Sequence, residues 1–196
     1  MKIFDNECEI KNVKFSCGHK SITKPNDLPE EKHGFKAALC WDGHKIATVS
    51  VDGTGDDDGY SISCESKNEF KAQQQPLSII DRWLKENYAI MHEIYGNGVI
   101  IDRQCLLFLL YREFAQKKMY PAIKRKMDKC LMFGDLNNYK SMSSKDGLLL
   151  SETWTKNEAF FKEALEMGSN NGRLLNDNIP EKYLNGIEVY KWNFKP

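Results

Sequence analysis

The sequence predicts an α+β fold: an N-terminal antiparallel β-meander packed against a helical C-terminal half with one or two further strands. Three observations predict it. An Asp-Gly pair, Asp42 and Gly43, sits between two runs of alternating apolar residues in "FKAALCWDGHKIATVSVDG". After residue 76, apolar residues recur at helical spacing at Ile80, Trp83, Leu84, Met91 and Ile94. Two short extended patterns, "CLMFGD" and "IEVYKWNF", follow among and after further helices. At 196 residues the chain suffices for one domain with a normal core, residues 1–75 mainly β and 76–196 mainly α.

Each element has its own reason. "NVKFSC" (12–17) is a strand candidate, and "SITKPNDLPEEKHG" (21–34), with two prolines, is a loop. Asp-Gly tolerates the positive φ angles of a type I′ turn, whose twist matches that of paired strands, so 35–41 and 44–51 form a hairpin. "YSISC" (60–64) adds a third strand to this meander. Leu77 to Tyr95 is a helix interrupted only by Asn87, with Gly96 as its C-cap. "DRQCLLFLLYREFAQKKM" (102–119) is a second helix, apolar nearly all round and therefore central. Pro121 breaks or restarts it, because proline lacks the interior donor and suits a first helical position, and a short basic helix "PAIKRKMDKC" follows. "CLMFGD" (130–135) reads as strand and "LNNYKSMSSKDG" as loop. Thr155 and Glu158 fit a capping box for a helix with Phe161, Ala164 and Leu165 on one face, ending at Gly168. "GSNNGRLLNDN" (168–178) is loop, and 187–194 alternates like a last strand.

The 28 Lys and Arg offset the 28 Asp and Glu, so global charge points to neither a nucleic-acid nor a membrane partner. Locally the balance is uneven. Residues 111–129 hold seven cations, Arg112, Lys117, Lys118, Lys124, Arg125, Lys126 and Lys129, against Glu113 and Asp128. Residues 52–58 hold four carboxylates and no cation. The six cysteines are scattered, and "MKIFDNECEI" has neither a basic n-region nor an apolar h-region, which implies reduced thiols and a cytoplasmic location. The most apolar run, "CLLFLLY" (105–111), is far shorter than the roughly 18 to 20 residues a bilayer requires, so no membrane partner is expected.

The acidic stretch "SVDGTGDDDGYSI" (50–62) has three readings. As a calcium loop counted from Asp52 it supplies Asp52, Thr54, Asp56 and Asp58, but Asp57 stands where the turn glycine belongs and Ser63 where the bidentate glutamate belongs. As a turn, its Gly and Asp are what strand connections demand. As a lure, its carboxylates repel one another until a cationic partner relieves them. Cys17 and His19, with Cys8 and Cys40, lack the second close pair of a zinc set, and no local feature selects His19, His33, His44 or His92 as base for a cysteine nucleophile. His92-Glu93 has Gly96 where a zinc-protease helix needs its second histidine. Phosphate-loop, dinucleotide and nucleophile-elbow motifs are missing, so no catalytic residue, cofactor or metal is assigned. In the basic stretch, Lys124, Arg125 and Lys126 fan across the helix surface while Met119, Ile123 and Met127 keep an apolar line. It is either a solvated face or a phosphate-contacting patch using Lys117, Lys118, Lys124, Arg125, Lys126 and Lys129, with Tyr111, Tyr120 and Tyr139 as stacking partners.

"LCWDGHKIATVSVDGTGDDDGYSI" carries Asp42, Gly43, Lys45, Ala47, Val49, Asp52, Gly53, Gly55 and Tyr60, and "KRKMDKCLMFGD" follows later. In these features the chain resembles a family of small proteins of phages and of bacteria carrying mobile elements, which has no assigned activity. It departs from that pattern in the aspartates that replace glycines in the link, and beyond about residue 145. The resemblance implies a genomic setting. With that setting, the leading expectation is an accessory protein that binds and inhibits a host defence complex stoichiometrically, of the anti-CRISPR or anti-restriction kind. Its contact is the acidic loop of Asp52, Asp56, Asp57 and Asp58, and its partner a host protein or ribonucleoprotein. The alternatives are a nucleic-acid-binding module built on the basic segment, and a metal-assisted enzyme.

Overall fold

A computed structural model describes residues 1–15, 34–51, 60–63, 67–87, 89, 102–136, 138–143 and 150–192. The fold is α+β. The chain divides into two compact units, the described residues up to Ala115 and those from Gln116 onward.

The first unit is a five-stranded antiparallel meander in sequential order, β1 (Lys2–Ile3), β2 (Asn6–Phe15), β3 (Phe35–Trp41), β4 (His44–Val51) and β5 (Tyr60–Ser63). Asp42 and Gly43 join β3 to β4 with φ of 48° and 80°, the two left-handed conformations a type I′ turn requires. The turn is also fastened to β2. Asp42 Oδ1 accepts from the Glu7 N–H at 2.7 Å, and its Oδ2 from the Asn6 amide at 2.7 Å. One face of the sheet buries Ile10, Phe35, Leu39, Val49 and Val51 against Ile80 and Leu84 of α1 (Lys67–Glu86) and Leu106, Leu107 and Leu110 of α2 (Arg103–Met127). Arg103 grips Asp81 through two hydrogen bonds of 2.8 and 2.7 Å, fixing the start of α2 to α1 and holding the Asp81 carboxyl below its usual range.

The second unit is built around β6 (Cys130–Asp135), whose six residues are an almost continuous apolar run. Such a run suits a strand buried on both faces. Leu131 and Phe133 pack with Phe161 and Leu165 of α4 (Glu158–Ser169), whereas Met132 packs with Ile123 and Met127 of α2. On one edge β6 pairs with β7 (Asn138–Ser143). On the other lies the extended segment 173–175, where Leu175 N–H bonds the Met132 carbonyl and Gly134 N–H the Arg173 carbonyl, each at 2.8 Å. Leu174 in turn pairs with the chain at 188–190 through hydrogen bonds of 2.8 and 2.7 Å. A short helix, α3 (Leu150–Lys156), precedes α4.

Several expectations need correction. The strand expected from Asn12 begins at Asn6 as β2, and β1 precedes it across a two-residue turn in which Phe4 adopts φ 52°, a conformation no sequence rule assigns to phenylalanine. The first helix begins at Lys67 and contains Pro76, and its described part ends at Glu86, where the Asn87 amide caps the Trp83 carbonyl at 2.9 Å. Pro121 does not break α2, which runs unbroken to Met127 and absorbs the proline on its exposed side. "NYKSMS" is a strand because β6 needs an edge partner. The N-cap of α4 is Asn157, which accepts from Phe160 N–H at 3.1 Å; Thr155 lies within α3 and bonds the Glu152 carbonyl instead. Residues 187–192 form one isolated bridge rather than a strand. Gly96 lies outside the described residues.

Candidate nucleic-acid interface

From Gln116 onward α2 has two faces. Ile123 and Met127 are buried four residues apart, with Met119 and Tyr120 half-buried beside them. On the other side, Lys117, Lys118, Pro121, Ala122, Arg125 and Lys126 are all exposed. At about 3.6 residues per turn these fall into two adjacent rows, Lys117–Pro121–Arg125 and Lys118–Ala122–Lys126. Four cations therefore frame a flat patch of Pro121 and Ala122. Each row spans about 12 Å at about 1.5 Å rise per residue. Lys129, also exposed, extends the patch into the turn before β6.

The partners of these cations differ, and the difference decides which can meet a ligand. Lys124, seven residues on from Lys117 and so close beside its row, is half-buried and lies 3.3 Å from Asp128 and 3.4 Å from Asp177. Asp177 also accepts from the Tyr120 hydroxyl. Burial, and then this bond to a carboxylate, push the Tyr120 phenol well above its usual range, so it stays a neutral donor. Arg125 Nε donates to the Pro121 carbonyl at 3.1 Å, leaving the rest of the guanidinium outward. Lys126 donates to the Tyr139 hydroxyl at 2.7 Å and sits 5.3 Å from the ring centroid. Neither contact neutralises charge. Of the candidate site residues, then, Lys117, Lys118, Arg125, Lys126 and Lys129 are exposed, and Lys124 is half-buried and held by two carboxylates.

The helix dipole offers a structural account of part of this pattern. Cations in a last turn gain about 0.3 to 1 kcal/mol each from it. That covers Lys124, Arg125 and Lys126, which occupy the last turn of α2. It does not reach Lys117 and Lys118, more than two turns upstream.

The proposed stacking tyrosines separate. Tyr111 is 4 % exposed and stacks on Phe35 at 5.2 Å in the core of the first unit. Tyr120 packs edge-on against Trp192. Tyr139, half-buried on β7, lies beneath Lys126 of the patch. The sequence reading missed its setting because it took that strand for loop. The acidic residues Asp52, Asp56, Asp57 and Asp58 lie outside the described residues, as do Cys17, His19, His33 and His92. Cys8 and Cys40 are buried and His44 is exposed at the start of β4. Among the described residues no group of three or more His, Cys, Asp or Glu is placed to hold a metal ion, and no helix is long and apolar enough to cross a membrane.

No family model, no curated protein and no solved structure matches this chain.

Proposed function

We propose that the chain is a nucleic-acid-binding module that contacts the phosphate backbone through the second half of α2. The observation that supports it is the pair of cationic rows flanking Pro121 and Ala122, with Lys126 resting on the ring and hydroxyl of Tyr139 rather than on a carboxylate. A flat patch ringed by donors admits a polyanion without steric cost, and Arg125 can engage two phosphate oxygens at once. Contacts made to phosphates carry no sequence information, so the binding is sequence-independent and driven by counterion release. Fluorescence anisotropy with labelled single-stranded and duplex oligonucleotides tests it. Four contacts predict about 100-fold weaker duplex binding on going from about 50 to about 200 mM salt. The variant Lys118→Gln/Arg125→Gln/Lys126→Gln/Lys129→Gln is expected to lose most of the affinity and flatten that dependence. A wild-type protein that binds neither oligonucleotide at low salt sinks the reading.

The mobile-element resemblance supports a second reading, stoichiometric inhibition of a host defence complex through the acidic residues of 52–58. Its test is affinity capture from host lysate. Asp56→Ser, Asp57→Ser and Asp58→Ser together should abolish capture, and unchanged capture removes the acidic contact.

A further inference from the structure

The outer face of the first unit's sheet carries a second cationic feature, created by a bulge. In β2 the inward residues Ile10, Val13 and Phe15 do not keep a period of two, since three positions separate Ile10 from Val13. Asn12 absorbs the extra residue at φ 55°, a conformation asparagine tolerates better than most. The register accordingly moves from Lys11 opposite Ala38 to Lys14 opposite Lys36. Without that bulge every side chain beyond it would change face, turning Val13 outward and Lys14 into the core. With it, two lysines stand directly across from each other.

Like charges in that position destabilise a sheet. Lys11, one pair along, is neutralised by Glu9 at 2.6 Å. Lys14 and Lys36 are both exposed and have no hydrogen-bond or ion-pair partner among the described residues. Together with Lys45 they border an open depression of about 230 Å³, with Asn12 at its rim and Ala38 and Thr48 lining it. Further along the same face Ser50 and Ser61 share a hydrogen bond of 2.7 Å. Among the described residues the depression is lined by small polar and apolar side chains and lysines, with no aromatic ring and no carboxylate. A ligand is thereby offered positive charge and close approach, with no platform for a base to stack on.

We propose that this face is a phosphate-contacting surface for nucleic acid, in which Lys14 and Lys36 each take a backbone phosphate. This rests on the nucleic-acid reading above and adds a second contact surface on the other unit. Lys14→Gln/Lys36→Gln is the informative variant, because removing a repulsive pair leaves the sheet at least as stable and lost binding is not lost folding. A thermal melt no lower than wild type establishes that point.

The experiment titrates a labelled oligothymidylate with wild type, this variant, and the α2 variant Arg125→Gln/Lys126→Gln/Lys129→Gln, across a salt series. The sheet variant is expected to bind about tenfold more weakly at about 50 mM salt, with the slope of log affinity against log salt shallower by about 1.4. Unchanged affinity and slope in the sheet variant, with weakened binding in the α2 variant, overturns this inference and leaves the α2 reading standing. Weakened binding in the sheet variant with an unaffected α2 variant does the reverse. A wild type that fails to bind oligothymidylate at low salt overturns both. Polyglutamate held as tightly as oligothymidylate, and released by the sheet substitutions, assigns the face to an acidic protein partner and overturns the nucleic-acid occupant.

Discussion

Replacing Asn176 by alanine tests whether the second unit is held by one side chain. Asn176 is 1 % exposed and makes three hydrogen bonds to the backbone, two of them buried and one part-buried. Its oxygen accepts from Met132 N–H at 2.8 Å, and its nitrogen donates to the carbonyls of Met127 at 3.0 Å and Cys130 at 2.9 Å. Met127 ends α2 and Cys130 begins β6, so the amide ties a helix C-terminus, a strand and the 173–175 segment together. Alanine strands one N–H and two carbonyls. A buried donor without a partner costs about 1 to 3 kcal/mol, and each lost carbonyl bond about 0.5 to 1.5 kcal/mol, so the loss is about 3 kcal/mol. With a urea m-value of about 1.5 kcal/mol/M, the midpoint falls by about 2 M. Hydrogen exchange read by mass spectrometry along the urea series localises the effect. Amides of 130–135 and 174–176 are expected to lose protection while those of β2 to β4 keep theirs. A midpoint shift below about 0.5 M, or protection lost equally in β2 to β4, refutes the reasoning.

Three further substitutions probe the other local arguments. Gly168→Ala gains up to about 1 kcal/mol in helix propensity, but the new methyl overlaps the buried edge of Phe133, and overpacking costs about 1 to 3 kcal/mol or more. The melting temperature should fall, and Phe133→Leu in the same chain should recover part of it. Asp42 is held below its usual carboxylate range by the Glu7 N–H and then by Asn6. Its stabilisation is therefore present above the unfolded carboxylate pKa of about 4 and lost as pH falls through the lower folded value. Asp42→Asn should flatten the acid limb of a stability-against-pH curve; an unchanged limb counts against the turn-to-β2 fastening. Tyr120 has a raised pKa, so its contribution is complete below about pH 10 and lost as pH climbs through the folded value. Ultraviolet difference titration should show late tyrosine ionisation, with Tyr60 contributing beside Tyr120, and Asp177→Asn should bring the Tyr120 part earlier.

How much of the fold was legible depended on whether the deciding chemistry was local. The Asp42-Gly43 turn was readable because both positive φ angles are intrinsic to those residue types, and β3, β4 and β5 followed from it. Strand β6 was readable from its apolar run. β1 and the start of β2 were not, because the turn between them puts the exposed Phe4 at positive φ, a conformation its residue type does not favour. Strand β7 was missed because an edge strand with mostly exposed polar residues has no hydrophobic pattern to betray it. The continuity of α2 through Pro121 was missed for a related reason. The rule that proline ends a helix weighs one lost hydrogen bond and a steric clash, whereas here α2 is anchored on both sides of the proline, by Ala115 in one core and by Ile123 and Met127 in another.

Charge was legible as composition but not as availability. The run from Lys117 to Lys129 looks uniform in sequence, yet Lys124 is held by Asp128 four residues away and by Asp177, 53 residues away in a segment that carries no secondary-structure signal. No reading of spacing finds the second partner. The lysines of the sheet pose the opposite case. Lys14 and Lys36 stand in unremarkable strands and draw no attention in a charge count, and only the register set by Asn12 brings them face to face. A single residue of the wrong parity in β2 thus converts two ordinary surface lysines into a repulsive pair, and an anion bridging them would recover the energy the sheet gives up. That recovery links the bulge to binding. If Asn12 is deleted, Lys14 must enter the core or the strand must slip, so the deletion should cost both stability and oligonucleotide affinity. Lys14→Gln/Lys36→Gln should cost affinity alone, and a stability loss in that double variant would show that the pair holds the sheet together rather than serving a ligand.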